Sequence, residues 1–146
     1  CKQIVHLGVR DYCEQEKLEA LENNKSIVFF DHDLKLNSYK GISWDSQCEL
    51  IIDSIKEKKV YISFDIDGLD PKLCPGTGTP VPGGLEFDQT FYLLHKMIEK
   101  GKQIIGIDLC EVSNRYNNDF DANVGSRVLY KLSNLFSKSF NKHGYS

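Results

Sequence analysis

Four short apolar runs, at residues 3–9, 26–30, 59–65 and 103–109, alternate with longer stretches of helical spacing, and this alternation constrains the fold more than any other feature. The runs are rich in Ile, Val, Phe and Tyr and nearly continuous in apolar residues, as strands covered on both faces should be. Residues 44–58 place Trp44, Cys48, Leu50, Ile51, Ile52 and Ile55 at helical intervals, with Ser46 and Glu49 spaced as a capping box. Residues 86–100 gather Phe87, Phe91, Leu94, Met97 and Ile98 on one face, and Gly101 stands where a terminating glycine belongs. A last helix over about 121–140 carries Val124, Val128, Leu129, Leu132, Leu135 and Phe136, and residues 11–23 make a weaker one. Strands alternating with helices predict a three-layer α/β/α fold with a mainly parallel sheet. No internal repeat, low-complexity tract or linker interrupts the chain, so 1–146 reads as one domain or part of one. In such sheets ligands gather beyond the carboxyl ends of the strands. Asp65 and Asp67 close the third strand, Asp108 and Glu111 the fourth, so four carboxyl groups are directed to one edge.

Several function classes are disfavoured by composition. A formal charge of −3 provides no basic field for nucleic acid and no polybasic patch for a membrane surface. No apolar run approaches the ~20 residues that span a bilayer, and no secretory leader is visible. The five cysteines are odd in number, widely spaced and without a paired Cys-x-x-Cys, which suits free thiols in a reducing cytosol. The chain opens at Cys1 and within a few residues enters a strand, as a fragment of a longer protein would.

The segment between residues 61 and 84, YISFDIDGLDPKLCPGTGTPVPGG, holds all four prolines and five of the eleven glycines. In an extended segment Asp65 and Asp67 point the same way, with Ile66 turned to the core. Two carboxylates that close repel unless a proton or cation intervenes, and a hard divalent metal with oxygen ligands resolves the conflict. Gly68 then permits a sharp turn, and the prolines stiffen the loop that follows. The plainer reading makes Asp65 a strand-end cap, with Asp67 and Asp70 serving Asx turns. A calcium-loop reading fails because Gly68 precedes the third acid, and a phosphatase-type motif would need threonine at Leu69.

The longer spacing decides between them. Ser63-Phe64-Asp65-Ile66-Asp67, three residues, Pro71, three residues, Pro75-Gly76, seven residues and Gly84 resembles the C-terminal signature of the ureohydrolase family of arginases, agmatinases and formimidoylglutamases. The resemblance extends through IIGIDLCEV at 104–112 and HLGVRD at 6–11. It implies two manganese ions with water activated between them, Asp65 bridging both ions and Asp67 binding one. Glu111 would face the cationic end of a guanidino or amidine substrate, with Thr79 lining the same pocket, and the intact protein would be a cytoplasmic homo-oligomer. The family's Asp-Ala-His-x-Asp motif and its proton-transfer histidine have no counterpart here, so the chain resembles a C-terminal half that is inactive alone. Asp31-His32-Asp33 has the wrong spacing to replace them and reads as a strand-end polar cluster. His6 falls in a core strand, His95 on a helix and His143 in a frayed tail. A catalytically silent half-domain, an interaction module and a formimidoylglutamase-type enzyme are the alternatives. LGVRD and the glycine-proline loop look closer to agmatinases than to arginases.

Overall fold

The structure is a computed structural model, described here for residues 1–113 and 119–143. Its elements run β1 (Ile4–Val9), α1 (Glu14–Glu22), β2 (Ser26–Phe30), α2 (Asp31–Tyr39), α3 (Trp44–Ser54), β3 (Lys59–Asp65), a 3-10 turn (Ile66–Gly68), α4 (Phe87–Glu99), β4 (Gln103–Cys110) and α5 (Phe120–His143). All four expected strands are present, and every pairing is parallel. β1 lies beside β2 from Ile4↔Ser26 to Val9↔Phe30, and β3 lies beside β4 from Lys59↔Gln103 to Asp65↔Cys110. The β1 ladder slips at Gly8, whose φ of +78° makes a bulge that most side chains would resist. Among the described residues no ladder joins the two pairs. Their ends nevertheless meet. The Gln3 side chain donates to Ser54 O and accepts from Lys56 N ahead of β3, while Arg10 reaches the turn behind it.

The helix ends show what the sequence pattern could miss. The amide of Ser46 is capped by Ser43 Oγ, so the N-cap of α3 stands three residues earlier than a Ser46–Glu49 box would put it. The helix also stops at Ser54, giving way to an extended Ile55, rather than running to 58. α1 starts at Glu14 because Cys13 and Glu16 cap each other reciprocally. α2 is an addition, for Asp31-His32-Asp33 opens a helix instead of closing a strand. Leu34 is its single buried apolar residue, too little for a periodicity signal, while Asp31 and Asp33 suit the positive end of the helix dipole. His32 is therefore an exposed first-turn residue, and the exposed His6 is no core residue either. α5 continues to His143, so helix occupies the place of the expected frayed tail.

The core lies where α3, α4 and α5 meet β3 and β4. Ile52, Ile66, Leu69, Ile98, Ile104, Val128 and Leu132 are buried there, each contributing roughly 1.5–3 kcal/mol. Ser139 Oγ accepts from Ile104 N and so pins α5 to β4. In this chain the opposite face of β3–β4 is open: Ile104 is fully buried, but Ile105 is 49% exposed and Tyr61 59%. Helix cover therefore reaches only one face of this strand pair among the described residues. The open face carries Tyr61, Ser63 and Asp65 on β3 opposite Gly106, Asp108 and Cys110 on β4.

Candidate functional site

At the carboxyl end of β3 the chain turns at once into the 3-10 turn, with Ile66 fully buried as an anchor. Asp65 Oδ1 accepts from Asp67 N at 3.1 Å, and Asp70 Oδ1 accepts from Lys72 N at 2.9 Å. The strand-end cap and an Asx turn at Asp70 are thus both real, yet they do not exhaust the aspartates. Burial raises the Asp67 carboxyl above its ordinary range, and the Asp65 charge and hydrogen bond raise it further. Glu111 adds to the same negative field, while Arg10 opposes it. Two neighbouring carboxylates of like charge, with only oxygen donors, are the kind of partial shell that a hard divalent cation fits. Among the described residues no group of three or more His, Cys, Asp and Glu side chains could hold a metal, so this chain offers part of a site.

Glu111 is positioned by an unusual backbone. It is the first residue beyond β4, one step past the Asp65↔Cys110 pair, and has φ of +60°. Two features of the proline-glycine loop hold it. The buried Thr77 hydroxyl donates to Glu111 O at 3.1 Å, and a Cβ at Gly78 would stand 2.8 Å from Glu111 Oε2. The loop is fastened from α5 by the buried Asp121, which accepts from Gly76 N at 2.8 Å. Thr77 and Asp121 were not singled out from the sequence. Thr77-Gly78-Thr79 offers two threonines that composition cannot tell apart, and Asp121 lies 45 residues from its partner. Thr79 is exposed on this loop, and its hydroxyl has no partner among the described residues. Asp108 stays outside the carboxylate group. Ser63 Oγ donates to it at 2.9 Å and Cys110 Sγ at 3.3 Å, and these bonds, Ser63's first, hold its carboxyl below the usual range.

A cavity of about 350 Å³ opens on the flank of β1, between Val9, Arg10, Tyr12 and the α2 residues Asp31, His32 and Lys35. None of Asp65, Asp67, Thr79 and Glu111 lines it. No described helix is long and apolar enough to cross a membrane.

The chain as a whole is similar to known proteins. A 38% identity over 94 residues links the chain to the guanidinobutyrase of Pseudomonas aeruginosa, covering 61% of this chain and 29% of that protein. The N(1)-aminopropylagmatine ureohydrolase of Synechocystis is 29% identical over 136 residues, covering 93% of this chain and 42% of the relative. Among solved structures, arginase from Bacillus cereus superposes with a TM-score of 0.73 at 26% identity, over 92% of this chain and 44% of that one. Arginase from Bacillus caldovelox gives a TM-score of 0.72 at 28% identity, over 92% and 43%. The chain spans less than half the length of each of these proteins. The parallel α/β frame is accordingly arginase-like, and since the arginase family profile matches residues 1–133, the chain belongs to the arginase family.

Proposed function

We propose that the protein to which this chain belongs is a manganese-dependent hydrolase of C–N bonds in linear guanidino or amidine compounds, with Asp65 and Asp67 as metal ligands and Glu111 and Thr79 facing the substrate. The observation that carries this reading is the Asp65–Asp67 pair at the end of β3, where burial and like charge raise the Asp67 carboxyl. Manganese bound there would lower the pKa of water and supply a nucleophile near neutral pH.

The other roles belong to side chains of this chain. Asp65 and Asp67 supply anionic oxygen donors that favour a hard cation. Glu111, exposed one residue beyond the adjacent strand, offers a carboxylate that can accept paired hydrogen bonds from a planar guanidinium. Thr77 fixes the Glu111 backbone, Gly78 leaves room for its carboxylate, and the Thr79 hydroxyl is left for the substrate. The names of the relatives, guanidinobutyrase, agmatinase, arginase and aminopropylagmatine ureohydrolase, support a cationic guanidino substrate class. The free cysteines, three of them exposed, suit a reducing compartment.

Two carboxylates without imidazole partners leave most of each coordination shell to water. The chain alone is therefore expected to bind manganese weakly and to hydrolyse nothing. Titration of residues 1–146 with manganese, followed by EPR or calorimetry, should show weak binding that Asp65→Ala weakens further. Tight binding of two ions by this chain alone, or no effect of Asp65→Ala, would contradict the ligand assignment.

A further inference from the structure

We propose that Arg10 is the positioning residue of this site, a single guanidinium that sets the Asp67 turn against the proline-glycine loop so that the carboxylates hold their metal in register. The inference rests on the reading of Asp65 and Asp67 as ligands and extends it to a residue that touches neither substrate nor metal.

Arg10 is the first residue past β1, and its half-buried side chain donates to four backbone carbonyls on three segments. Nη2 donates to Asp67 O at 2.6 Å and to Leu69 O at 3.2 Å, either side of Gly68, where the chain changes direction. Nε donates to Val81 O at 2.9 Å, across the molecule on the loop that leads back to Leu85. Nη1 donates to Gly8 O at 3.4 Å, at the bulge in the β1 ladder. A guanidinium is planar, and its five N–H groups point in fixed directions. Four of them in use therefore fix the angle between the Asp67 turn and the 79–84 loop, as well as joining them. Gly83 lies against the stem of this side chain: its φ is +99°, and a Cβ there would stand 3.4 Å from Arg10 Cδ, an ordinary contact, but only 2.6 Å from Asp31 Oδ2.

The contacts bear on the metal carboxylates directly. One accepting carbonyl belongs to Asp67 itself, so displacement of the guanidinium would turn the residue whose side chain is the proposed ligand. Lysine at this place would keep the charge. Its single ammonium is a point donor without the fork, so it cannot reach Val81 O and the Asp67–Leu69 pair in the same geometry.

The test uses the full protein that contains this chain. Manganese dissociation constants and melting temperatures of the metal-free protein are measured for the wild type, Arg10→Lys, Arg10→Met and Asp65→Ala. Removal of groups that orient metal ligands weakens metal binding by roughly 10–100-fold. Arg10→Lys should fall in that range while still folding, and Arg10→Met should bind more weakly than Arg10→Lys. If Arg10→Met does not fold, Arg10→Lys decides the matter. Unchanged manganese affinity in folded Arg10→Lys, alone or with a lowered melting temperature, would reduce Arg10 to a structural tie and overturn the proposal. In that case a loss of affinity in Asp65→Ala shows that the ligand assignment survives. Native affinity in Asp65→Ala would instead remove the assignment on which the proposal stands.

Discussion

Glu111 is the one non-glycine residue with a left-handed backbone among the described residues. Holding a glutamate there costs on the order of 1–3 kcal/mol, so its side chain has a use that outweighs its conformation. In the full protein, Glu111→Gly should raise the melting temperature by relieving that strain. It should also lower kcat/KM for a guanidino substrate by the equivalent of about 1.5–3 kcal/mol, the worth of a hydrogen bond to a charged group. A lower melting temperature, or undiminished kcat/KM, would contradict this account of the residue. The cysteines give a second test at this scale. Burial pushes the Cys48 thiol up to about 12 and the Cys74 thiol up to about 11, from an ordinary 9.0. Ellman's reagent at pH 8 should therefore label the exposed Cys1 and Cys13 quickly and leave Cys48 and Cys74 until the chain unfolds. The sign of the pH effect follows from the same shifts. Above about pH 9 the unfolded chain releases these protons while the folded chain keeps them, so folded stability falls as pH rises from 9 toward 11 and 12. Rapid labelling of all five thiols, or a melting temperature that holds steady across that window, would argue against the buried placement. The paired aspartates stand out in the sequence by their spacing, and Glu111 through the resemblance of IIGIDLCEV to the ureohydrolases. Thr77, Asp121 and Arg10 were not, because they act through backbone contacts with residues distant in the chain.

The element that most shapes the site is the loop between the 3-10 turn and α4, closed on itself at both ends of a short bridge. Leu85 N donates to Gly68 O and Asp70 N to Leu85 O, each at 3.0 Å, which sets Leu69 beside Leu85. Gly84, with φ of +91°, makes the approach possible, since a Cβ there would lie 2.7 Å from the Leu69 carbonyl carbon and oxygen. Gly41 has a similar φ of +85° but open space around it. Both Gly→Ala changes incur left-handed strain of about 1–2 kcal/mol, and only Gly84→Ala adds a backbone collision. Gly84→Ala should therefore destabilise the protein by at least ~1 kcal/mol more than Gly41→Ala in denaturant titrations. Equal costs would show that the loop does not pack as tightly as drawn. Strands and long amphipathic helices were readable because their apolar periodicity is strong, as in α4. α2 escaped because one buried leucine gives no period, and the α3 start was misplaced because Ser43 and Ser46 are equally good caps by type.

At the scale of the whole molecule, the order of elements was enough to predict a parallel α/β sheet with its chemistry at the strand ends. The expectation of strands covered on both faces drew on runs such as YISF. In this chain one face of β3–β4 is open, and Tyr61 and Ile105 stand on it or beside it in contact with solvent. The chain spans 44% of Bacillus cereus arginase, and periodicity reports how a strand is built, not which segment covers it. The same limit applies to the site, where the two aspartates proposed as ligands and the glutamate proposed for the substrate are present, and no group of three or more metal-binding side chains forms among the described residues. The central claim is that Asp65 belongs to a metal-dependent hydrolytic site completed in the full protein. Urea release from agmatine, arginine and 4-guanidinobutyrate, measured with fresh manganese for the full protein and its Asp65→Ala variant, tests this most directly. The account predicts manganese-dependent turnover of at least one of the three by the wild type and none by Asp65→Ala, whereas full activity of Asp65→Ala, or turnover independent of manganese, would contradict it.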